Sequence, residues 1–182
     1  MSFQRVAIVG LGLLGGSLGL AIGRALPDCA TTGFDADAGV RARAAELGLV
    51  GRVCTTVAET VADADLVILC VPVGAMGAAA RALAGSLPPG SIVSDVGSSK
   101  RRVAEVLREA LPGVTVIPAH PVAGTERSGP DAGFPDLFHN RWCILTPLPG
   151  ADAQAVEKLV SFWRACGSNV ETMTPDHHDL VL

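Results

Sequence analysis

Two short polar stretches carry the residue types that proton transfer needs. One is His120-Pro121-Val122-Ala123-Gly124-Thr125-Glu126, the other Asp95-Val96-Gly97-Ser98-Ser99-Lys100. A neutral imidazole near its ordinary pKa takes a proton from a hydroxyl at neutral pH, so His120 is the candidate catalytic base. The plainer alternative is a histidine bonded to backbone at a strand end, but a position facing a cleft favours chemistry. Ser98 offers a hydroxyl that could bond the imidazole or a substrate oxygen; it could equally cap a helix, as could Ser99. Lys100, Arg101 and Arg102 put three cations in a helix's first turn, where the helix dipole favours anions. A nearby anionic ligand or a solvated basic face accounts for them, and Lys100 is placed on the substrate side. Thr125 and Glu126 are expected on a loop at the mouth of the cleft as gate residues, with ordinary turn chemistry beside Gly124 as the alternative.

A third stretch indicates what these groups work beside. Gly10-Leu11-Gly12-Leu13-Leu14-Gly15-Gly16-Ser17 follows the apolar run Arg5-Val6-Ala7-Ile8-Val9 and precedes Leu18, Ala21, Ile22 and Leu26 at helical spacing. Strand, glycine turn and helix are the context of a dinucleotide fingerprint. Gly10 allows the tight turn, Gly12 lets backbone approach a pyrophosphate, and Gly15 lets helix pack on strand, with N–H groups around Leu13 and Leu14 at the helix N-terminus. A second run, 30–34, ends in Asp35, twenty residues after Gly15, the spacing of a carboxylate for a ribose 2′-OH. Asp35 would repel a 2′-phosphate and no arginine follows it at once, so NAD is expected over NADP; Arg41 and Arg43, further on, are the counter-indication.

The elements that position these groups read as alternating strands and helices. Strands are expected at 5–9, 30–34, 66–71, 91–96, 114–117 and 142–146, and helices at 38–47, 75–87 and 99–111. Val71 and Pro72, closing the third strand, are expected to border the cofactor. Six alternating strands predict an α/β fold, a doubly wound parallel sheet of Rossmann type in the order 3-2-1-4-5-6. A helix at 153–165 and a short strand at 169–173 are added to it. Residues 1–174 then form one dinucleotide-binding domain, and Thr174-Pro175-Asp176 opens a further helix with a hydroxyl cap, proline at N1 and an acid in the first turn. His177 and His178, on that helix, are read as surface or packing residues.

Composition narrows the class. The 182 residues are 49% hydrophobic and only 18% charged, which suits a sheet covered on both faces. The net charge of −4 argues against a nucleic-acid surface. Five scattered cysteines with no CxxC spacing read as reduced core thiols, not a disulfide framework or metal site. No leader and no membrane-length apolar run stand out, so a cytoplasmic protein is expected.

Taken together, the glycine stretch, the Gly-Ser-Ser-Lys turn, the His-Pro-Val-Ala-Gly-Thr-Glu stretch and His178-Asp179 resemble the prephenate/arogenate dehydrogenases of tyrosine biosynthesis. The resemblance implies NAD-dependent oxidative decarboxylation of a cyclohexadienol. His120 accepts the ring hydroxyl proton, Ser98 aligns it, and Glu126 belongs to the gate. It also implies a helical domain beyond residue 174 that dimerises, covers the cleft and supplies an arginine. Two alternatives stand beside it: a dehydrogenase of the β-hydroxyacid or 6-phosphogluconate type, which would need a lysine from a helix beyond the Rossmann unit, and a non-catalytic NAD-binding module.

Overall fold

Alternation along the central strands sorts the whole molecule into layers. In the computed structural model, which describes residues 2–182, β1 (Arg5–Val9) is buried from Val6 onward on both of its faces. Val6 and Ile8 point one way, with Leu66 and Ile68 of β4 (Leu66–Leu69). They meet Leu18 and Ile22 of α1 (Leu13–Ala25) and Leu159 and Trp163 of α6 (Ala153–Ala165). Ala7, Val9, Val67 and Leu69 point the other way, onto α3 (Val57–Val61), α4 (Met76–Leu83) and α5 (Lys100–Ala110). A period of two in the strands thus feeds two separate cores, as a doubly covered parallel sheet requires.

The main sheet has six parallel strands in the order β3-β2-β1-β4-β5-β6, where β2 is Ala30–Phe34, β3 Arg52–Val53, β5 Ile92–Asp95 and β6 Thr115–Val116. The order 3-2-1-4-5-6 holds, but with different members. The third strand is the two-residue Arg52–Val53 at the sheet edge, too short and too polar to show an apolar run. Leu66–Leu69 is therefore the fourth, directly beside β1. Helix α3 also escaped the periodicity, although Thr56 and Glu59 spell a capping box: Thr56 Oγ1 accepts from the Glu59 N–H (3.1 Å).

Residues 142–146 do not extend the main sheet. After β6, Ile117 still donates to Val93, and Pro118, which has no N–H to give, ends the ladder. The chain then starts a second, three-stranded sheet, β7-β8-β9. In it β7 (Ala119–Pro121) runs antiparallel to β8 (Trp142–Leu145), and β9 (Asn169–Thr172) runs parallel to β8. Helix α2 is Ala38–Glu46, and α7 (Pro175–Val181) begins at the predicted place, with Thr174 Oγ1 accepting from the His177 N–H (3.2 Å). Helix α7 packs on α5. Among the described residues no helix is long and apolar enough to cross a membrane, and no group of three His, Cys, Asp or Glu is placed to hold a metal ion.

Candidate active site

The glycine turn is shaped by contacts within the chain at two of its glycines and by none at the third. Gly10 has φ 100°, and a Cβ there would run into the Cys70 carbonyl at the end of β4. A Cβ on Gly15 would run into the carbonyl oxygen of Gly10. Both are demanded by packing. Gly12 is different: its φ is −76° and nothing lies within 4 Å of where a Cβ would stand. The protein itself gives no reason for glycine at that point, whereas a pyrophosphate lying close to the backbone does. Helix α1 starts there with no side-chain cap and no acid in its first turn, so its leading N–H groups are free to meet an anion. These residues fit a dinucleotide.

Asp35 lies at the carboxyl end of β2 and ties the turn together, accepting from the N–H groups of Leu11 (2.9 Å) and Asp37 (2.9 Å). A carboxylate has lone pairs to spare beyond those two bonds. Arg41 is spent on the carbonyls of Asp35 (2.7 Å) and Ala36 (3.2 Å), and Arg43 on Asp131 and Glu46. Val71 and Pro72 follow β4 at the reversal of strand order, and the Val71 side chain borders Gly10.

Beyond β4 the construction changes from backbone to buried side chains. Asp95, the last residue of β5, is fully buried and accepts from the Gly97 N–H (2.7 Å), the Ala119 N–H (3.1 Å) and the Lys100 ammonium (2.5 Å). Lys100 Nζ also donates to the Ala119 carbonyl (2.6 Å). Both backbone groups of Ala119, the residue before His120, are thus gripped by one ion pair, which also fixes the Gly97 turn leading to Ser98. Burial pushes the Asp95 carboxyl up and the Lys100 ammonium down, and the charge of each opposes the shift of the other. Lys100, expected on the substrate side, has its ammonium wholly buried and paired with Asp95.

The cations at the start of α5 also find their anion inside the chain. Asp179 of α7 accepts from the N–H groups of Lys100 (2.8 Å) and Arg101 (2.9 Å), and Asp176 pairs with Arg101 (2.6 Å). A borrowed carboxylate therefore caps a helix whose own N-cap, Ser99, makes no side-chain cap bond. Burial raises the Asp179 carboxyl, but the two N–H groups and His178 outweigh it and leave it below the usual range.

His120 sits on β7, half-buried, with its Nδ1 2.8 Å from Nε2 of His178. His178 is fully buried, and its Nδ1 lies 2.7 Å from Asp179 Oδ1. Burial, then the proximity of His178 and Lys100, holds His120 down at about 4, against the pull of Asp179. It is therefore neutral at pH 7. His178 is the residue that the sequence reading undervalued. Its signals in the sequence are adjacency to an acid on a well-capped helix and its place in the His178-Asp179 pair of the resemblance.

Ser98 is exposed on the turn between β5 and α5, so β5 and β7 bring Ser98 and His120 to one end of the sheets. Thr125 and Glu126 are exposed on the segment after β7, where Thr125 Oγ1 accepts from the Arg127 N–H (3.1 Å). The rest of that segment is strapped to the cofactor side: Arg24 pairs with Asp136, Arg43 with Asp131, and the Phe134 N–H donates to Ser17 (3.0 Å).

The parallel sheet, the glycine turn and the uncapped start of α1 are the architecture of a dinucleotide-binding domain. The family model for the nucleotide-binding domain of prephenate dehydrogenase matches residues 18–172, and the chain belongs to that family. It is 42% identical over 180 residues to the cyclohexadienyl dehydrogenase of Zymomonas mobilis, covering 99% of this chain and 61% of the relative. It is 33% identical to the prephenate dehydrogenase of Bacillus subtilis, covering 97% of this chain and 48% of that one. Prephenate dehydrogenase from A. aeolicus, solved with hydroxyphenyl propionate and NAD+, superposes with a TM-score of 0.91 at 31% identity, over all of this chain and 63% of that one. The chain thus spans about half to three-fifths of these relatives' length.

Proposed function

We propose that this chain is the cofactor-binding part of an NAD-dependent enzyme that oxidatively decarboxylates prephenate, arogenate or both. The observation that carries the reading is His120: neutral at physiological pH, half-buried, and clamped through Ala119 at the strand ends that also carry the Ser98 turn. When bound at the glycine turn, NAD supplies an acceptor for the hydride lost by the ring carbon. His120 takes the proton of the ring hydroxyl, and Ser98 orients that hydroxyl. Departure of the ring carboxylate as carbon dioxide leaves the ring aromatic, and the same imidazole returns the proton to the phenolate oxygen. Thr125 and Glu126 border the entrance.

NAD is favoured over NADP because Asp35 faces the ribose position and both nearby arginines are already engaged. The active form is a cytoplasmic homodimer, with the helical segment that follows residue 174 in the resemblance supplying the dimer contact. The relatives' greater length supports that arrangement.

The test is formation of reduced cofactor by the whole protein, with prephenate and arogenate each paired with NAD and NADP. Turnover with NAD and at least one of the two substrates is expected, as is its loss in His120→Asn. Binding of NAD without turnover on either substrate would contradict the reading.

A further inference from the structure

Neither ring nitrogen of His120 is interchangeable with the other, because one of them ends a chain of hydrogen bonds whose polarity is fixed at its far end. Asp179 is held as a carboxylate by the N–H groups of Lys100 and Arg101, and a carboxylate only accepts. His178 Nδ1, 2.7 Å from Asp179 Oδ1, must therefore carry the proton. A neutral His178 is then left with a lone pair on Nε2. The contact of 2.8 Å from His178 Nε2 to His120 Nδ1 is closed only if His120 donates. We propose that His178 and Asp179 hold His120 in the Nδ1–H tautomer, leaving His120 Nε2 as the unprotonated atom that meets the substrate hydroxyl.

This order of protons opposes the free side chain's preference for the Nε2–H form, so it needs a device to impose it. The charged and titratable groups around His120 are few: His178 and Asp179 of α7, Lys100 of α5 and Asp95 of β5. Lys100 and Asp95 are committed to each other and to Ala119, so neither competes for the imidazole. Full burial of His178 keeps water from substituting for either of its bonds. His178 and Asp179 are positioning residues that act through His120. The link explains why α7 is docked on α5: the carboxylate that caps α5 also orients the base.

The inference rests on the dehydrogenase reading for its purpose, while its test is independent of turnover. Nitrogen-15 spectra of histidine-labelled protein read the tautomers directly. His120 is expected to be protonated at Nδ1 and His178 at Nδ1. In His178→Leu, His120 Nδ1 loses its acceptor, so His120 reverts to the Nε2–H form that the free side chain prefers. In His178→Gln, Oε1 still accepts from His120 and the Nδ1–H form is retained.

In turnover, His178→Leu lowers kcat by about 100-fold or more with KM changed by no more than about twofold, and His178→Gln recovers most of the loss. An Nε2–H His120 in the unsubstituted protein, or a tautomer unmoved by His178→Leu, overturns the inference. The predicted tautomers in a protein that turns over neither substrate would uphold this inference and overturn the functional reading instead.

Discussion

The two sides of the cleft are built by opposite means. On the cofactor side the turn itself lies between Gly10 and Asp35, with Val71 and Pro72 beside it, and the groups it offers are backbone N–H groups exposed by glycines, with one carboxylate closing the turn. On the reaction side the working groups are side chains gathered from afar. Asp95 reaches Ala119, His120 reaches His178 and Lys100 reaches Asp179, across 24, 58 and 79 residues of sequence. The first construction is local and tolerant of its neighbours. The second depends on an ion pair with no exposure at all, so a fault anywhere in it is felt at His120.

Breaking the reaction side should therefore cost the most. Lys100→Met leaves Asp95 buried without a counter-charge, and urea denaturation should show a loss of about 3–5 kcal/mol. On the cofactor side the two kinds of glycine separate. Gly15→Ala forces a Cβ against the Gly10 carbonyl and should cost about 1–3 kcal/mol of stability. Gly12→Ala meets nothing in the protein, so its stability should stay within about 0.5 kcal/mol. Its affinity for NAD should nonetheless fall at least about tenfold, or about 1.4 kcal/mol, in a binding titration.

Smaller still is the effect of pH on His120. Unfolded, its imidazole titrates near 6.5; folded, it stays unprotonated down to about 4. Between those values the unfolded chain binds more protons. The contribution of His120 to unfolding free energy should therefore be complete above 6.5 and shrink as pH falls toward 4. Its contribution to the rate should be flat between about pH 6 and 8, with the acid limb lying well below that range. A limb near 6.5 would show that α7 does not shield the imidazole. Smallest of all, Arg43→Ala removes an exposed strap and should leave the urea midpoint unchanged.

The same contrast explains what could be read from the chain before any coordinates. Glycine positions and the spacing to Asp35 are local constraints, so the cradle and the strand order around it were legible. Arg52–Val53 was not, because two residues at a sheet edge carry no periodicity. Residues 142–146 looked like another parallel strand, since their apolar run is the same whichever sheet receives it; the break at Pro118 decided that. His120 and Ser98, the proposed base and its aligning hydroxyl, stand out by type and by their place after strands. The pairing of Lys100 with Asp95 and of His178 with His120 was not, because burial and long-range contact are absent from a linear pattern. The three cations opening α5 are a true anomaly, and the chain answers it in pieces: Asp95 of β5 takes the Lys100 ammonium, Asp176 of α7 pairs with Arg101, and Asp179 of α7 caps the helix.

The division of labour between the two sides can be tested in one pair of variants of the whole protein, measuring NAD affinity and turnover on the same samples. His120→Asn should bind NAD as tightly as the unsubstituted protein while losing about a thousandfold or more in kcat. Gly12→Ala should lose affinity for NAD while keeping most of its turnover at saturating cofactor. A His120→Asn protein that retains full kcat, or a Gly12→Ala protein that binds NAD undiminished, would contradict the account.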